Sequence, residues 1–299
     1  ESVADKQAIA AGVTMPITKH NFIVTDVNNL AETIREAFII AKSGRPGPVL
    51  IDIPKDVTAN QAEFVPLAEV KDSVEQAAQS ANLKRILKVS TPSDDDVKAA
   101  EIINSSVRPV IYAGGGVVIS EAYDELKALA EKANIPVTVS LMGKTAFPAE
   151  HKLCTGMVGM HGTKASNMSV NESDLIIAIG ARFSDRVISD AKKFAKNSKV
   201  FHIDIDPAEI NKNIPTVGSL IGNVKDVLAR LLPLINEKPE SDWNKKVTEW
   251  KGHVPSSYAN IIPMNPKVIF EHVHNTLGDD TIITTEVGQH QMWTAQFYP

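Results

Sequence analysis

The sequence has few of the features that mark specialised protein classes. Its 299 residues include one cysteine, Cys154, and only 5% of them are aromatic. A single cysteine excludes an internal disulfide framework and fits a reducing compartment. No apolar run approaches the roughly 20 residues that a membrane-spanning helix needs, and no signal-peptide pattern opens the chain. We therefore expect no membrane association and a cytoplasmic location, or an organellar one in a eukaryote.

The charge balance argues against a further class. The formal net charge is -5, whereas a nucleic-acid-binding protein needs a basic face. Hydrophobic residues make up 43% and charged residues 22%, which is ordinary for a globular protein, and the length suffices for about two domains. We expect Cys154 to be a partly buried thiol rather than a nucleophile.

Apolar residues at helical spacing alternate along the chain with short apolar runs that indicate buried strands. The predicted helices are Asp26 to Ser43, Ser93 to Ser106, Ser120 to Asn134, Val224 to Ile235, Asp242 to Trp250 and Pro266 to Leu277. The predicted strands are Val49 to Ile53, Arg108 to Tyr112, Pro136 to Ser140, Leu175 to Ile179, Lys199 to Ile205 and Thr281 to Thr285. This alternation predicts an α/β fold with a doubly wound, mainly parallel sheet and partial flanking α/β domains.

Two stretches without periodicity, 54–82 and 253–265, divide the chain. We predict that residues 1–65 end a first domain, 66–84 form a linker, 85–258 form a complete central domain and 259–299 begin a third domain. The chain is thus expected to be an internal piece of a longer protein.

The most informative segment follows the predicted strand Leu175 to Ile179. This strand leads into Gly180 and then into Arg182, Asp185 and Arg186. Ligands bind outside the carboxyl ends of strands in open α/β sheets, and arginines suit phosphate or carboxylate groups. The alternative is a solvated loop with a surface ion pair.

Other predicted strands also end in residues that suit a ligand. Ala113–Gly116 allows close approach to the backbone, the loop Gly156–Gly162 contains Met160 and His161, and Asp204 ends its strand. Each has a structural alternative: a tight turn, core packing or a structural histidine. Together they predict a dinucleotide site. The sequence contains no G-x-S-x-G motif of α/β-hydrolases, no Walker A motif and no pair of residues at zinc-ligand spacing.

Most of these residues belong to six motifs that together resemble one family. The motifs are Ile17–Val24, Gly44–Val57, Gly156–Gly162, Gly180–Val187, His202–Ile210 and Val287–Trp293. In this order they resemble the catalytic subunits of the acetohydroxyacid synthase (acetolactate synthase) family, which are thiamine-diphosphate enzymes with three α/β domains per subunit. The resemblance implies that 1–65 belong to the domain that binds the thiamine pyrimidine, 85–258 to the FAD-binding domain and 259–299 to the thiamine-diphosphate-binding domain.

The resemblance implies an extended FAD on the central domain. Matching the family residue by residue gives Gly114, Gly115, Gly116, Ser140, Leu141, Met160, His161, Gly180, Ala181, Arg182, Asp204, Ile205 and Asn223 as flavin contacts. The family usually has aspartate at the last position, so Asn223 keeps an acceptor and loses the charge. The flavin is expected to act structurally.

The resemblance also implies the reaction. A thiamine ylide attacks pyruvate, CO2 leaves, and the remaining two-carbon unit adds to a second 2-keto acid, pyruvate or 2-ketobutyrate, in branched-chain amino acid biosynthesis. Arg186 matches the arginine that recognises the second carboxylate, and Met160, Asp185 and Lys19 match the substrate channel. The residues expected to touch the thiamine diphosphate group are Val287, Gly288, Gln289 and His290.

The family's activating glutamate and its Mg2+ ligands are expected outside this chain, so we expect no catalysis from the chain alone. The intact enzyme is expected to be a homodimer or tetramer, with a possible regulatory small subunit. Two alternatives remain open: another thiamine-dependent decarboxylase or carboligase, such as glyoxylate carboligase or pyruvate oxidase, or a non-catalytic nucleotide-binding module.

Overall fold

The computed structural model describes residues 12–63, 92–251, 265–278 and 280–298. They fall into two compact units, divided between Lys88 and Val89. The predicted linker, 66–84, and most of the break at 253–265 lie outside the described residues. The predicted three-domain division therefore stays a prediction.

The first unit contains one β-α-β element. Its strands β1 (His20–Ile23) and β2 (Val49–Asp52) are parallel, and helix α1 (Leu30–Lys42) connects them. Asp26 begins the helical segment by accepting a hydrogen bond from the Asn28 amide at 2.9 Å. A short helix, α2 (Lys55–Ala59), then follows, so the stretch without periodicity, 54–82, begins with a helical turn.

The second unit is built on one six-stranded sheet in which every pair of neighbours is parallel, which confirms the predicted fold class. The strands are β3 (Pro109–Ala113), β4 (Val137–Val139), β5 (Cys154–Met157), β6 (Leu175–Ile179), β7 (Lys199–Asp204) and β8 (Gly218–Ile221). The helices are α3 (Asp94–Ser105), α4 (Gly115–Ile119), α5 (Tyr123–Ala133), α6 (Lys164–Glu172), α7 (Asp185–Ile188), α8 (Val224–Leu231), α9 (Asp242–Lys251), α10 (Pro266–Leu277) and α11 (Gln289–Phe297).

The central strands are buried on both faces. Along β6, Ile177 packs into a core that includes residues of α3, α5 and α8, while Ile176 packs into a second core with residues such as Val170 of α6. Because side chains of a strand alternate between faces, a strand covered on both sides is a continuous apolar run. This is why the sequence Leu175–Ile179 predicted its strand correctly.

The strand order is β5-β4-β3-β6-β7-β8, so the chain starts in the middle of the sheet and winds outward in both directions. The order reverses between β3 and β6, which is the topological switch point where open α/β sheets bind ligands. The register pairs Ala113 with Ile179. The turns that follow these two residues are therefore side by side.

Several elements differ from the predictions, and the helices Lys164–Glu172 and Gln289–Phe297 were not predicted. The strands Cys154–Met157 and Gly218–Ile221 were not predicted, since glycine, threonine and serine interrupt their apolar pattern. Thr281 to Thr285 was predicted as a strand and is wrong, because this segment forms no strand and Ile282 is 90% exposed. Strand backbone needs a neighbouring strand for its hydrogen bonds, and none of the described strands pairs with it.

Helix α3 begins with a capping box connected to a buried ion pair. The Ser93 hydroxyl accepts from the Asp96 amide, and the Asp96 carboxylate accepts from the Ser93 amide at 2.8 Å. The same carboxylate oxygen of Asp96, a fully buried residue, lies 3.1 Å from Nε of Arg230 on α8. The pair therefore joins the start of α3 to α8 across the core.

We predict that Asp96→Ala lowers the free energy of unfolding by about 2–3 kcal/mol, since it removes a helix cap and leaves the Arg230 guanidinium without its carboxylate. Burial raises the pKa of Asp96, but hydrogen bonds from Ser93 and Arg230 outweigh it, so the pKa lies below the ordinary 3.8. The stabilisation is therefore present above pH 3.8 and is lost as the pH falls through the folded-state pKa.

Urea unfolding of the 299-residue chain at neutral and at acidic pH measures this effect. The matched control is Asp95→Ala in the same helical turn, where the carboxylate is exposed and forms a surface ion pair with Lys98. The control should change stability by less than about 0.5 kcal/mol. Equal losses in the two variants would contradict the assigned role of Asp96.

Candidate functional site

The turns after β3 and β6 contact each other backbone to backbone. The Gly116 amide donates to the Gly180 carbonyl at 2.9 Å, and the Gly114 amide donates to the Ile179 carbonyl at 2.9 Å. A Cβ at Gly114 would lie 2.2 Å from the Gly180 oxygen, and one at Gly116 would lie 2.6 Å from the Gly180 Cα. These glycines are thus required by the contact between the turns. Of the three glycines predicted as flavin contacts here, Gly114 and Gly116 thus have amides that are already bonded within the protein.

Two buried side chains contact backbone carbonyls of the turn after β6. The Tyr112 hydroxyl donates to the Arg182 carbonyl at 3.2 Å, and Nε2 of His202 lies 3.0 Å from the Ala181 carbonyl. Burial lowers the pKa of His202 despite the Asp204 carboxylate 3.7 Å from Nε2. The imidazole is therefore neutral at physiological pH and donates from Nε2, because a carbonyl only accepts.

The turn after β6, called here the charged turn, contains Arg182, Asp185 and Arg186, and these three side chains contact solvent. Arg182, Asp185 and Arg186 are all exposed, and no ion pair joins any of them to another residue in the described ranges. The surface ion pair that the sequence left open is therefore not formed. Two guanidinium groups are available for an anionic ligand beside the switch point.

The ends of β7 and β8 contribute a carboxylate and an amide. Asp204 is 8% exposed, and its Oδ1 accepts from the Asp206 amide at 2.9 Å, while Oδ2 accepts no hydrogen bond from the described part of the chain. The Asn223 side chain caps α8 by accepting from the Lys225 amide at 2.9 Å. One lone pair of its oxygen is therefore engaged locally, and the second lone pair and the side-chain nitrogen are the groups that can meet a ligand.

Apolar side chains are exposed at the end of β4. The Ser140 hydroxyl accepts from the Gly143 amide at 3.0 Å and begins a 3-10 turn, Leu141–Gly143. Leu141 is 50% exposed and Met142 is 75% exposed. Exposed apolar side chains beside polar groups are typical of a ligand site.

The loop Gly156–Gly162, called here the glycine loop, contacts the charged turn. Its Met160 amide donates to the Arg186 carbonyl at 3.0 Å, and the Met160 side chain is 60% exposed. Core packing is thus the correct explanation for Met157, which is buried, and not for Met160. The structure thus brings the backbones of Met160 and Arg186 into contact, and the predicted roles of both residues at the substrate stay predictions.

The predicted thiamine-diphosphate residues lie at the start of α11. Val287 is 86% exposed, and Gln289 and His290 are exposed in the first helical turn. The C-terminal end of α11 contacts the glycine loop, where the Gln296 side chain donates to the His161 carbonyl at 2.7 Å. His161 itself is exposed. These contacts place α11 beside the glycine loop.

Lys19 belongs to the first unit. Its ammonium donates to the carbonyls of Ile40 and Ser43 at the end of α1. A cation there complements the helix dipole, so Lys19 has a structural partner in the described residues. Its predicted place in the substrate channel stays a prediction.

Metal-ligand clusters and membrane-spanning helices are both absent from the described ranges. Among residues 12–63, 92–251, 265–278 and 280–298, no group of three or more His, Cys, Asp or Glu side chains is arranged to hold a metal. No helix within these ranges is long and apolar enough to cross a membrane. Cys154 is a buried free thiol, and burial raises its pKa.

Sequence reasoning missed the side chains that hold the site together. Tyr112 and His202 were read only as strand residues, and Asn167 of α6, which binds the glycine loop, was not noticed. The available signal was a polar residue inside an otherwise apolar strand, which applies to His202 alone.

We predict that Gly114→Ala destabilises the protein by about 1–3 kcal/mol, because the added methyl overlaps backbone atoms that cannot rotate away. The matched control is Gly115→Ala, whose Cβ meets only Met142, at 3.2 Å, and whose helical position favours alanine. The midpoints of urea unfolding compare the two variants. Equal midpoints would show that the turns are not in the close contact described.

Known proteins share sequence with this chain. Residues 97–231 match the model of the thiamine pyrophosphate enzyme central domain. The chain is 44% identical over 302 residues to the probable acetolactate synthase large subunit of Methanocaldococcus jannaschii, covering 97% of this chain and 49% of the relative. It is 40% identical over 290 residues to the acetolactate synthase isozyme 1 large subunit of Escherichia coli, and the match covers 96% of this chain and 49% of that relative.

The chain therefore spans about half the length of the curated relatives that it matches. The matched central domain contains both glycine turns, the glycine loop and the charged turn. Residues 97–231 are therefore similar to the central domain of thiamine pyrophosphate enzymes, in a chain that resembles acetolactate synthase large subunits along nearly its whole length.

Proposed function

We propose that this chain is part of an acetolactate synthase catalytic subunit that binds FAD. The intact enzyme would convert pyruvate and a second 2-keto acid, pyruvate or 2-ketobutyrate, into an acetohydroxy acid and CO2. The observation that carries the proposal is the charged turn at the topological switch point, where Arg182 and Arg186 are exposed and Met160 is bonded to Arg186. The similarity to acetolactate synthase large subunits supports the same reaction.

The groups at the carboxyl ends of the strands fit an extended flavin dinucleotide. The Gly115 amide and the Arg182 guanidinium suit a pyrophosphate, and Oδ2 of Asp204 is available to accept from a hydroxyl. The exposed Leu141 and Met160 side chains suit an apolar ring. We propose that the remaining strand-end residues of the site, Ser140, Gly180, Ala181, Ile205 and Asn223, complete this surface with His161.

Arg186 is proposed to bind the carboxylate of the acceptor. A guanidinium presents a planar set of donors that matches a carboxylate, and this one has no carboxylate partner in the described chain. Asp185 and Lys19 are proposed to line the same channel. Thiamine diphosphate, when bound, supplies an electron sink for decarboxylation and carbon–carbon bond formation, and Val287, Gly288, Gln289 and His290 would contact its diphosphate.

The remaining assignments concern parts beyond this chain. We propose that the Mg2+ ligands and the activating glutamate belong to the other half of the full-length protein, since the chain spans about half of its relatives. The relatives are named large subunits, which supports a small regulatory partner and assembly as a dimer or tetramer. A non-catalytic nucleotide-binding module is the second candidate, and the similarity to named enzymes favours it less.

We predict that the 299-residue chain binds FAD saturably and that Arg182→Ala raises the Kd roughly tenfold or more, since a hydrogen bond to a charged group contributes about 1.5–3 kcal/mol. Quenching of flavin fluorescence measures binding. The matched control is Arg108→Ala, because Arg108 precedes β3 at the opposite end of the strands and donates to the Glu172 carbonyl. A folded chain that shows no saturable binding would contradict the flavin site.

We predict that Arg186→Ala in the full-length enzyme impairs acceptors with a carboxylate selectively. Benzaldehyde lacks the carboxylate, and its condensation with pyruvate gives phenylacetylcarbinol and CO2. With both acceptors in one mixture, acetolactate formed per phenylacetylcarbinol defines the acceptor ratio, which does not depend on enzyme amount or on decarboxylation. We expect this ratio to fall roughly tenfold or more. An unchanged ratio would contradict the proposal that Arg186 binds the acceptor carboxylate.

A further inference from the structure

Asn167, which lies outside the glycine loop, binds the loop at Gly159 through two hydrogen bonds. The Gly159 amide donates to Oδ1 of Asn167 at 2.9 Å, and Nδ2 of Asn167 donates to the Gly159 carbonyl at 3.0 Å. The Asn167 side chain thus binds both the backbone N–H and the backbone carbonyl of Gly159. A side-chain amide is suited to this because it carries a donor and an acceptor on one rigid plane.

Gly159 is also where the loop meets the charged turn. Its φ of +113° lies in the region that favours glycine, and a Cβ there would lie 2.7 Å from the Arg186 carbonyl oxygen. The next residue, Met160, donates its amide to that same oxygen at 3.0 Å. The position of Gly159 therefore fixes how the loop meets the backbone of Arg186.

Asn167 is itself held firmly. It lies on α6, whose first turn is capped by Thr163 through the Ser166 amide at 3.1 Å. Ser166 is fully buried and also donates to the Thr155 carbonyl of β5 at 2.8 Å, while Ala165 is buried on the same helix. The chain of contacts runs from the sheet through α6 and Asn167 to Gly159, and from there to Met160 and Arg186.

Arg186 depends on such support because its own element is short. Helix α7 has four residues, Asp185–Ile188, and ends at Ser189 with a φ of +55°. Its amides bond mainly to carbonyls within the same turn, such as Ile188 to Ser184 at 2.9 Å. A bond from the glycine loop is therefore a direct link between the Arg186 backbone and the rest of the domain.

We infer that Asn167 is a positioning residue for the acceptor site, acting through Gly159 to set where Met160 and Arg186 lie relative to each other. The inference rests on the proposed function, in which Arg186 binds the acceptor carboxylate. Asn167 touches neither substrate nor cofactor in this assignment. Its loss should therefore change the choice between acceptors, since small displacements of a binding group weaken oriented contacts strongly.

The test measures the acceptor ratio defined above in the full-length enzyme. Asn167→Ala should lower the ratio by roughly threefold to tenfold, in the same direction as Arg186→Ala. The matched control is Asn171→Ala, because Asn171 lies one turn further along α6 and is exposed. This control should keep the wild-type ratio. In the Arg186→Ala background, Asn167→Ala should cause no further fall, since both act on one contact.

Asn167→Asp keeps an acceptor for the Gly159 amide and loses the donor to its carbonyl. It should give a ratio between those of wild type and Asn167→Ala, and it replaces Asn167→Ala as the decisive variant if that one does not fold. Flavin content and melting temperature monitor folding in every variant.

The outcomes separate the two proposals. If Arg186→Ala shifts the ratio while the folded Asn167 variants keep the wild-type value, the role of Asn167 is overturned and the proposed function stands. If Arg186→Ala itself leaves the ratio unchanged, the proposed acceptor site fails first. A shift in Asn171→Ala as large as that in Asn167→Ala would also overturn the inference, since it would reflect a general disturbance of α6.

Discussion

The candidate site depends on the close contact between two backbone turns at the middle of the sheet. The turns after β3 and β6 touch without intervening side chains, and an added Cβ at Gly114 would lie 2.2 Å from the Gly180 oxygen. This contact places Arg182 and Arg186 immediately beside the point where the strand order reverses. Tyr112 and His202 then fix the carbonyls of the same turn from inside the protein.

Local chemistry explains which elements were predictable. Leu175–Ile179 is apolar at every position because both faces of β6 are covered, and Pro266–Leu277 combines a capping asparagine, an early proline and helical spacing. Cys154–Met157 has no such pattern, and its pairing with β4 shifts register. The segment Thr281 to Thr285 is the reverse case. Its composition favours a strand, but strand structure needs a partner that the sequence pattern cannot supply.

The same distinction holds within the site. Exposed arginines after a buried strand are visible in the sequence because unpaired charge is costly inside a protein, so Arg182 and Arg186 could be singled out. The destination of each amide and carbonyl depends on tertiary contacts. For this reason the sequence did not show that Gly114 and Gly116 have bonded amides, or that Asn167 binds Gly159.

The reversal of strand order also makes the sheet a joined pair of halves. One half contains β5, β4 and β3, and the other contains β6, β7 and β8, with the two glycine turns at the seam. A ligand that contacts Gly115 in one half and Arg182 in the other would link the two halves noncovalently. Binding to the folded form alone would then raise the free energy of unfolding, which would increase with ligand concentration.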